Sequence, residues 1–115
     1  MTRNHRGEFG RRGEDAAAEL LLKAGYRVLG RNVRVPGGEI DIVCVDGDVV
    51  VFVEVKSRSH VTFGTALGAV DARKRAKLRA LAADYLQIVA PGRRARFDVV
   101  TYEQGRLKLY KGAFA

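Results

Sequence analysis

Glu39-Ile40-Asp41-Ile42-Val43-Cys44-Val45-Asp46-Gly47-Asp48-Val49-Val50-Val51-Phe52-Val53-Glu54-Val55-Lys56 reads as a β-hairpin with charges set into its open end. Two apolar, β-branched runs flank Asp46-Gly47-Asp48, a strong turn signal. Side chains alternate faces along a strand. A two-residue loop at Asp46-Gly47 sets Asp41 against Phe52 and Glu54 against Glu39; a loop at Gly47-Asp48 sets Asp41 against Glu54. Either loop collects Glu39, Asp41, Glu54 and Lys56 on one face. The other face is then Ile40, Ile42, Cys44, Val51, Val53 and Val55, an apolar core face. A three-residue loop without a bulge would part Asp41 from Glu54.

Charges inside strands of Val and Ile conflict with the local pattern, and such conflicts mark sites. Carboxylates this close cannot all ionise without compensating positive charge. Lys56 supplies part of it. A hard divalent cation would supply the rest, since Mg²⁺ takes one or two carboxylates with water and a substrate phosphate. The alternative is a solvated sheet face with a cross-strand ion pair from Lys56 to Glu39 or Glu54.

A length of 115 residues predicts one domain with a core of its own. No apolar run approaches the roughly 20 residues of a membrane-spanning helix. Met1 to Arg6 is not followed by an apolar region, and the one cysteine, Cys44, makes no internal disulfide. A cytoplasmic protein is expected. The net charge of +8 and the pI near 10.2 point to polyanionic partners, nucleic acid first. A membrane surface is disfavoured because no strong apolar face backs the basic clusters. Those clusters are Arg3, Arg6, Arg11 and Arg12; Arg73, Lys74, Arg75, Lys77 and Arg79; and Arg93, Arg94 and Arg96. A basic but merely solvated surface is the bland alternative.

Residues 1–12, rich in Arg and Gly, predict a flexible basic arm, and residues 13–111 a single domain. Ala17, Leu20, Leu21 and Ala24 give a helical stripe from Gly13 to Ala24, closed by Gly25. Tyr26 to Val35 is a strand that Pro36-Gly37-Gly38 ends. After the hairpin, Ser57 to Gly68 is a loop and Val70 to Val89 a helix with the stripe Leu78, Leu81, Ala82, Tyr85, Leu86 and Val89. Arg96 to Tyr102 is a fourth strand and Arg106 to Tyr110 a short edge strand. The class is α/β, a mixed sheet flanked by helices. Tyr26, Tyr85, Phe97 and Cys44 read as core, and His5 and His60 have no ligand partner at metal spacing.

Asp41 followed on the next strand by Glu54-Val55-Lys56 resembles the PD-(D/E)xK nuclease signature. More closely, Gly13-Glu14-Asp15-Ala16-Ala17, Gly25-Tyr26, Arg31-Asn32-Val33-Arg34, Gly38 to Val43, Val51 to Arg58 and Phe63-Gly64 resemble the YraN-like bacterial family, which is placed in that superfamily. The resemblance spans about residues 10–102. It implies a restriction-endonuclease-like fold of order αβββαβ, here with an added C-terminal strand. The superfamily's proline is missing before Asp41, where Ile40 stands; that proline does no chemistry.

As activity, the resemblance implies a metal-dependent nucleic-acid phosphodiesterase. Asp41 and Glu54 would bind Mg²⁺ or Mn²⁺ with the Val55 carbonyl, and Lys56 would orient or deprotonate the attacking water. It extends to archaeal-type Holliday-junction resolvases, in which a glutamate on the first helix joins the site. Glu14, eleven residues before Gly25, matches by spacing, with Glu19 as the fallback. Branched or structured DNA, and a homodimer, enter the expectation with it. Arg58, Lys74, Arg75 and Lys77 would hold phosphates. A non-catalytic nucleic-acid-binding module and an interaction protein remain the rival readings.

Overall fold

Apolar runs in pairs around tight turns build the sheet. In the computed structural model, residues 5–58, 72–103 and 105–114 are described, with side chains from residue 13 onward except 57, 58 and 103. The elements are α1 (His5–Lys23), β1 (Arg27–Val35), β2 (Gly38–Asp46), β3 (Val49–Arg58), α2 (Ala72–Val89), β4 (Ala95–Glu103) and β5 (Arg106–Phe114). The five strands lie in the order β1-β2-β3-β4-β5. Only β3 and β4 pair in parallel, and α2 makes the crossover between them. Among the described residues, no helix is long and apolar enough to cross a membrane.

This is the expected element order, with four changes. First, α1 starts at His5, so residues 5–12 are helical where a flexible arm was expected. Arg6, Glu8, Arg11 and Arg12 are good helix formers, and they continue the helix that the apolar stripe nucleates, against a cost of about 1 kcal/mol at each of Gly7, Gly10 and Gly13. Second, β5 runs to Phe114 rather than ending at Tyr110. Third, Val89 at the end of α2 is 57% exposed and leaves the expected stripe. Fourth, Ser57 and Arg58, expected to open a loop, instead end β3 and pair with Tyr102 and Glu103; the rest of the expected Ser57–Gly68 loop, with His60, Phe63 and Gly64, lies outside the described residues.

Local turn chemistry sets the corners. Tyr26 N–H donates to the Leu21 carbonyl at 3.0 Å and Gly25 N–H to the Leu22 carbonyl at 3.1 Å, with Gly25 at φ +95°. That is a Schellman cap, and it delivers Tyr26 into the core. The hairpin loop is Gly47-Asp48, since Asp46 pairs with Val49 and Gly47 takes φ +64°.

Both faces of the sheet are buried, which corrects the expectation of one apolar and one charged face. Ile42, Cys44, Val51, Val53 and Val100 pack under Ala17, Ala18 and Leu21 of α1. Ile40, Val43, Val50 and Phe52 pack under Leu81, Ala82 and Tyr85 of α2. Phe52, expected on the charged face, meets the Tyr85 ring edge-on at 5.6 Å and Phe97 at 5.7 Å. Ile40 has changed sides relative to Ile42, so β2 kinks between them, at Asp41. Across the strand pair Asn32 takes φ +50°, which asparagine tolerates better than a branched residue.

A charged network on the α1 side is built around a buried carboxylate. Asp98 is 0% exposed. It accepts from Arg96 Nε at 2.9 Å, from the Tyr26 hydroxyl at 2.7 Å and from the Gly112 amide at 2.9 Å. Arg96 also reaches Asp46 at 2.9 Å. The Gly112 bond explains the shifted register between β4 and β5 at Asp98, where Gly112 turns to φ +59°. Burial, and then the bond to Asp98, push the Tyr26 phenol well above its ordinary value. Asp98→Ala would leave the Arg96 guanidinium without its main partner, and should destabilise the protein by about 3–5 kcal/mol in urea unfolding. Tyr26→Phe should cost about 1–2 kcal/mol.

Candidate functional site

The β2–β3 ladder runs from Asp46↔Val49 to Ile42↔Val53 and stops there. Continued in register, Ile40 would next exchange backbone hydrogen bonds with Val55. Instead the Val55 N–H donates to Asp41 Oδ2 at 2.9 Å. The carboxylate therefore takes the place of a ladder carbonyl where the two strands part. Backbone N–H and C=O of one residue leave a strand on the same side. The Val55 carbonyl thus points into the same gap.

Glu54 is 5% exposed. Its Oε2 lies 3.5 Å from Lys56 Nζ and 3.4 Å from Lys74 Nζ. Lys56 comes from the same strand and Lys74 from the first turns of α2. Glu54 also lies close enough to Asp41 to act on its carboxyl. Burial, foremost, and the Glu54 charge next push the Asp41 carboxyl up to about 7; the Val55 N–H works against them and Glu14 adds to them. Glu14 of α1 is itself raised, chiefly by burial, with Glu39 contributing, while a hydrogen bond from Asn32 and the Arg31 charge oppose the rise. Carboxylates from α1, β2 and β3 thus feel one another at the point where β2 leaves β3.

Of the residues singled out in the sequence, Asp41, Glu54, Lys56 and the Val55 backbone come together, and Glu14 is close enough to act on Asp41. Glu19 is exposed on α1. Glu39 is exposed and 3.8 Å from Arg34. Lys74, expected only to hold phosphate, lies within the carboxylate site. Lys77 lies exposed on α2, and its Cε is 3.3 Å from where a side chain on Gly38 would start. Arg75 is half-buried on α2. The Arg58 side chain lies outside the described residues. Two contributors escaped the sequence reading. Asn32 bonds to Glu14, and its signal was an asparagine in mid-strand. Lys74 pairs with Glu54 through the tertiary fold, and no spacing rule announces it.

Among the described residues, no group of three His, Cys, Asp or Glu side chains is gathered to hold a metal ion by itself. The donor set nevertheless fits a hard divalent cation. Two neighbouring carboxylates and a backbone carbonyl aimed into the same gap offer oxygens only, and Mg²⁺ fills its remaining positions with water and phosphate. Cys44 is buried, its thiol pushed up to about 12, mainly by burial, which makes it a core residue rather than a ligand.

The fold and site define an α/β protein with a five-stranded mixed sheet between two helices and a carboxylate–lysine cluster where strands diverge. A family profile described as "Uncharacterised protein family UPF0102" matches residues 13–102. A UPF0102 protein of Moorella thermoacetica is 50% identical over 121 residues, covering 99% of this chain and 98% of that protein. UPF0102 protein STH1475 of Symbiobacterium thermophilum is 46% identical over 111 residues, covering 91% and 94%. The chain belongs to the UPF0102 family, in agreement with the YraN-like resemblance.

The Asp41 shift carries a pH signature. An unfolded Asp loses its proton near pH 4, whereas the folded one keeps it to about 7. Between those values the folded state binds more protons, so stability falls as pH rises through that window and is flat above it. Asp41→Asn keeps an acceptor for Val55 N–H and removes the charge. In metal-free protein it should match wild type near pH 4. At pH 8 it should be more stable by about 1 kcal/mol or more, roughly 4–8 °C in thermal melts.

Proposed function

We propose that this chain has a restriction-endonuclease-like architecture and is a metal-dependent nucleic-acid phosphodiesterase, an endonuclease whose substrates are branched or structured DNA. The reading is supported above all by one observation: Asp41 on β2 takes the Val55 amide where the ladder ends, next to Glu54 of β3, whose carboxylate pairs with Lys56.

Asp41, Glu54 and the Val55 carbonyl are the residues that would hold Mg²⁺ or Mn²⁺. Such an ion supplies a nucleophilic water at neutral pH and stabilises charge on the phosphoryl oxygens. Lys56 Nζ is held on the same face as Glu54, where it can orient the attacking water and offset negative charge on the phosphate. Glu14, from α1, adds negative charge at the far side of Asp41 and raises the affinity of the site for a cation. Arg58, Lys74, Arg75 and Lys77 would contact backbone phosphates without reading bases. A symmetric junction presents two scissile strands, so a resolvase would act as a C2 homodimer. We place this activity in the cytoplasm, on the sequence grounds given above.

Asp41→Ala, Glu54→Ala and Lys56→Ala should each lower Mg²⁺- or Mn²⁺-dependent cleavage by about 100-fold or more, with circular dichroism unchanged. The substrates to assay are four-way junctions, flaps, nicked duplexes and single strands. EDTA should abolish cleavage. Undiminished cleavage by the purified Lys56→Ala protein would overturn the assignment.

A second reading has one observation in its favour. Lys56 and Lys74 already balance Glu54, and no three-ligand group is gathered among the described residues. On that reading the cluster is structural and the chain is a nucleic-acid-binding module. Tight binding in EDTA, with no cleavage of any of these substrates under Mn²⁺, would select it.

A further inference from the structure

The reversal of β2 at Asp41 has a twin in β1. The two strands keep one register through this region: Arg31 faces Ile42, Val33 faces Ile40 and Arg34 faces Glu39. Asn32 therefore stands opposite Asp41. On one side of this pair, Arg31 reaches Asp15 of α1 and Ile42 packs in the α1 layer. On the other side, Val33 and Ile40 pack in the α2 layer. Residues two apart on a regular strand share a face. Both strands break that rule at the same rung, and the ladder survives because they break it together.

Asn32 supplies the backbone for this turn. Among the described residues it is the one non-glycine with positive φ, at +50°. The left-handed region carries the chain past its usual alternation, and asparagine enters it at less cost than most residues with a side chain. A regular β1 could stay paired only with a regular β2, in which Asp41 would alternate as an ordinary strand residue. In the structure Asp41 reaches the Val55 amide instead.

The Asn32 side chain acts on the other carboxylate. It is a hydrogen-bond partner of Glu14, the residue before Asp15 on α1. Two consecutive residues of β1, Arg31 and Asn32, thus take two consecutive residues of α1, Asp15 and Glu14. The Arg31–Asp15 pair is an exposed attachment of helix to sheet. Asn32 differs because its partner Glu14 acts in turn on Asp41.

We propose that Asn32 is a positioning residue of the cation site: its left-handed backbone turns β1 in step with β2 so that Asp41 enters the gap, and its side chain holds Glu14 beside Asp41. This rests on the phosphodiesterase reading and deepens it. Asn32 works through two other residues, by its backbone on Asp41 and by its amide on Glu14. Substitution separates the two. Glycine keeps the left-handed backbone and drops the amide, whereas alanine drops both.

The test reads metal affinity and stability without turnover. Mn²⁺ is titrated by calorimetry into wild type, Asn32→Gly, Asn32→Ala, Glu14→Gln, the Asn32→Gly/Glu14→Gln double variant and Asp41→Ala, and each protein is melted in EDTA. Asn32→Gly should melt within about 2 °C of wild type, yet bind Mn²⁺ about three- to tenfold more weakly. Asn32→Ala should melt about 4–8 °C below Asn32→Gly and bind Mn²⁺ more weakly still, because the kink at Asp41 loses its support. On the Glu14→Gln background, Asn32→Gly should change Mn²⁺ affinity by less than about twofold. Wild-type Mn²⁺ affinity in Asn32→Gly, with binding lost in Asp41→Ala, would overturn the proposal by removing the part of the amide. Asn32→Ala that melts and binds like Asn32→Gly would overturn it by removing the part of the backbone. A full-sized Asn32→Gly loss on the Glu14→Gln background would overturn it as well, since Asn32 would then not act through Glu14. All three results leave the phosphodiesterase reading standing. Absence of Mn²⁺ binding by wild type at millimolar concentration would overturn both.

Discussion

The amide of Val55 is the constraint on which the site depends. A buried backbone N–H must find an acceptor, and in a sheet the acceptor is normally a carbonyl of the next strand. Here β2 turns away before it can offer one, and the carboxylate of Asp41 takes over at 2.9 Å. That substitution has three effects at once. It ends the β2–β3 ladder, it moves Ile40 to the face opposite Ile42, and it anchors an acidic side chain in the gap the strands leave. The carbonyl of Val55 is carried into the same gap by strand geometry alone. A site built this way is positioned by the sheet, not by a loop, and its geometry is as rigid as the strands that make it.

The molecule buries charge in two contrasting ways. Around Asp98 every donor and acceptor is matched: Arg96, the Tyr26 hydroxyl and the Gly112 amide converge on one carboxylate with no exposure. Such a cluster locks β4, β5 and the start of β1 together. Around Asp41 the balance is incomplete. Two carboxylates act on one another, a third acts on Asp41 from α1, and Lys56 and Lys74 both reach Glu54. Matched buried charge is architecture; carboxylates held short of compensation, where water and a cation can reach, are the kind of environment that supports chemistry. Both helices contribute, α1 through Glu14 and α2 through Lys74, so the site knits the two helical layers across the sheet.

Much of this was legible in the chain. The Asp-Gly-Asp turn between Val-rich runs, Gly25 after an apolar stripe, and Pro36-Gly37-Gly38 are local signals, and each corner formed where those residues stand. Asp41, Glu54 and Lys56 stood out because charge inside β-branched runs contradicts the pattern around it. The face assignment failed because strict alternation was carried through Asp41, and a kink there reverses it. Phe52 does share its face with Glu54 and Lys56, but it is buried because α2 covers that face of the sheet. The start of α1 was misjudged because Arg- and Gly-rich residues have no apolar periodicity to mark a helix, although arginine supports one. The buried network of Asp98, Arg96 and Tyr26 was missed because its members are far apart in sequence and each looks ordinary alone.

The sequence by itself determined the element order, the corners and the identity of the charged residues that matter, because turns, caps and apolar periodicity act over a few residues. It also determined family membership, which rests on residues 13–102 as a string. The tertiary structure alone decided which faces are buried, where β2 and β3 part, and that Lys74 of α2 meets Glu54 of β3. Those outcomes depend on two helices covering opposite sides of one sheet and on a single amide choosing a side chain over a carbonyl. They are contacts between residues distant in the chain, and only the assembled packing brings them within reach of one another.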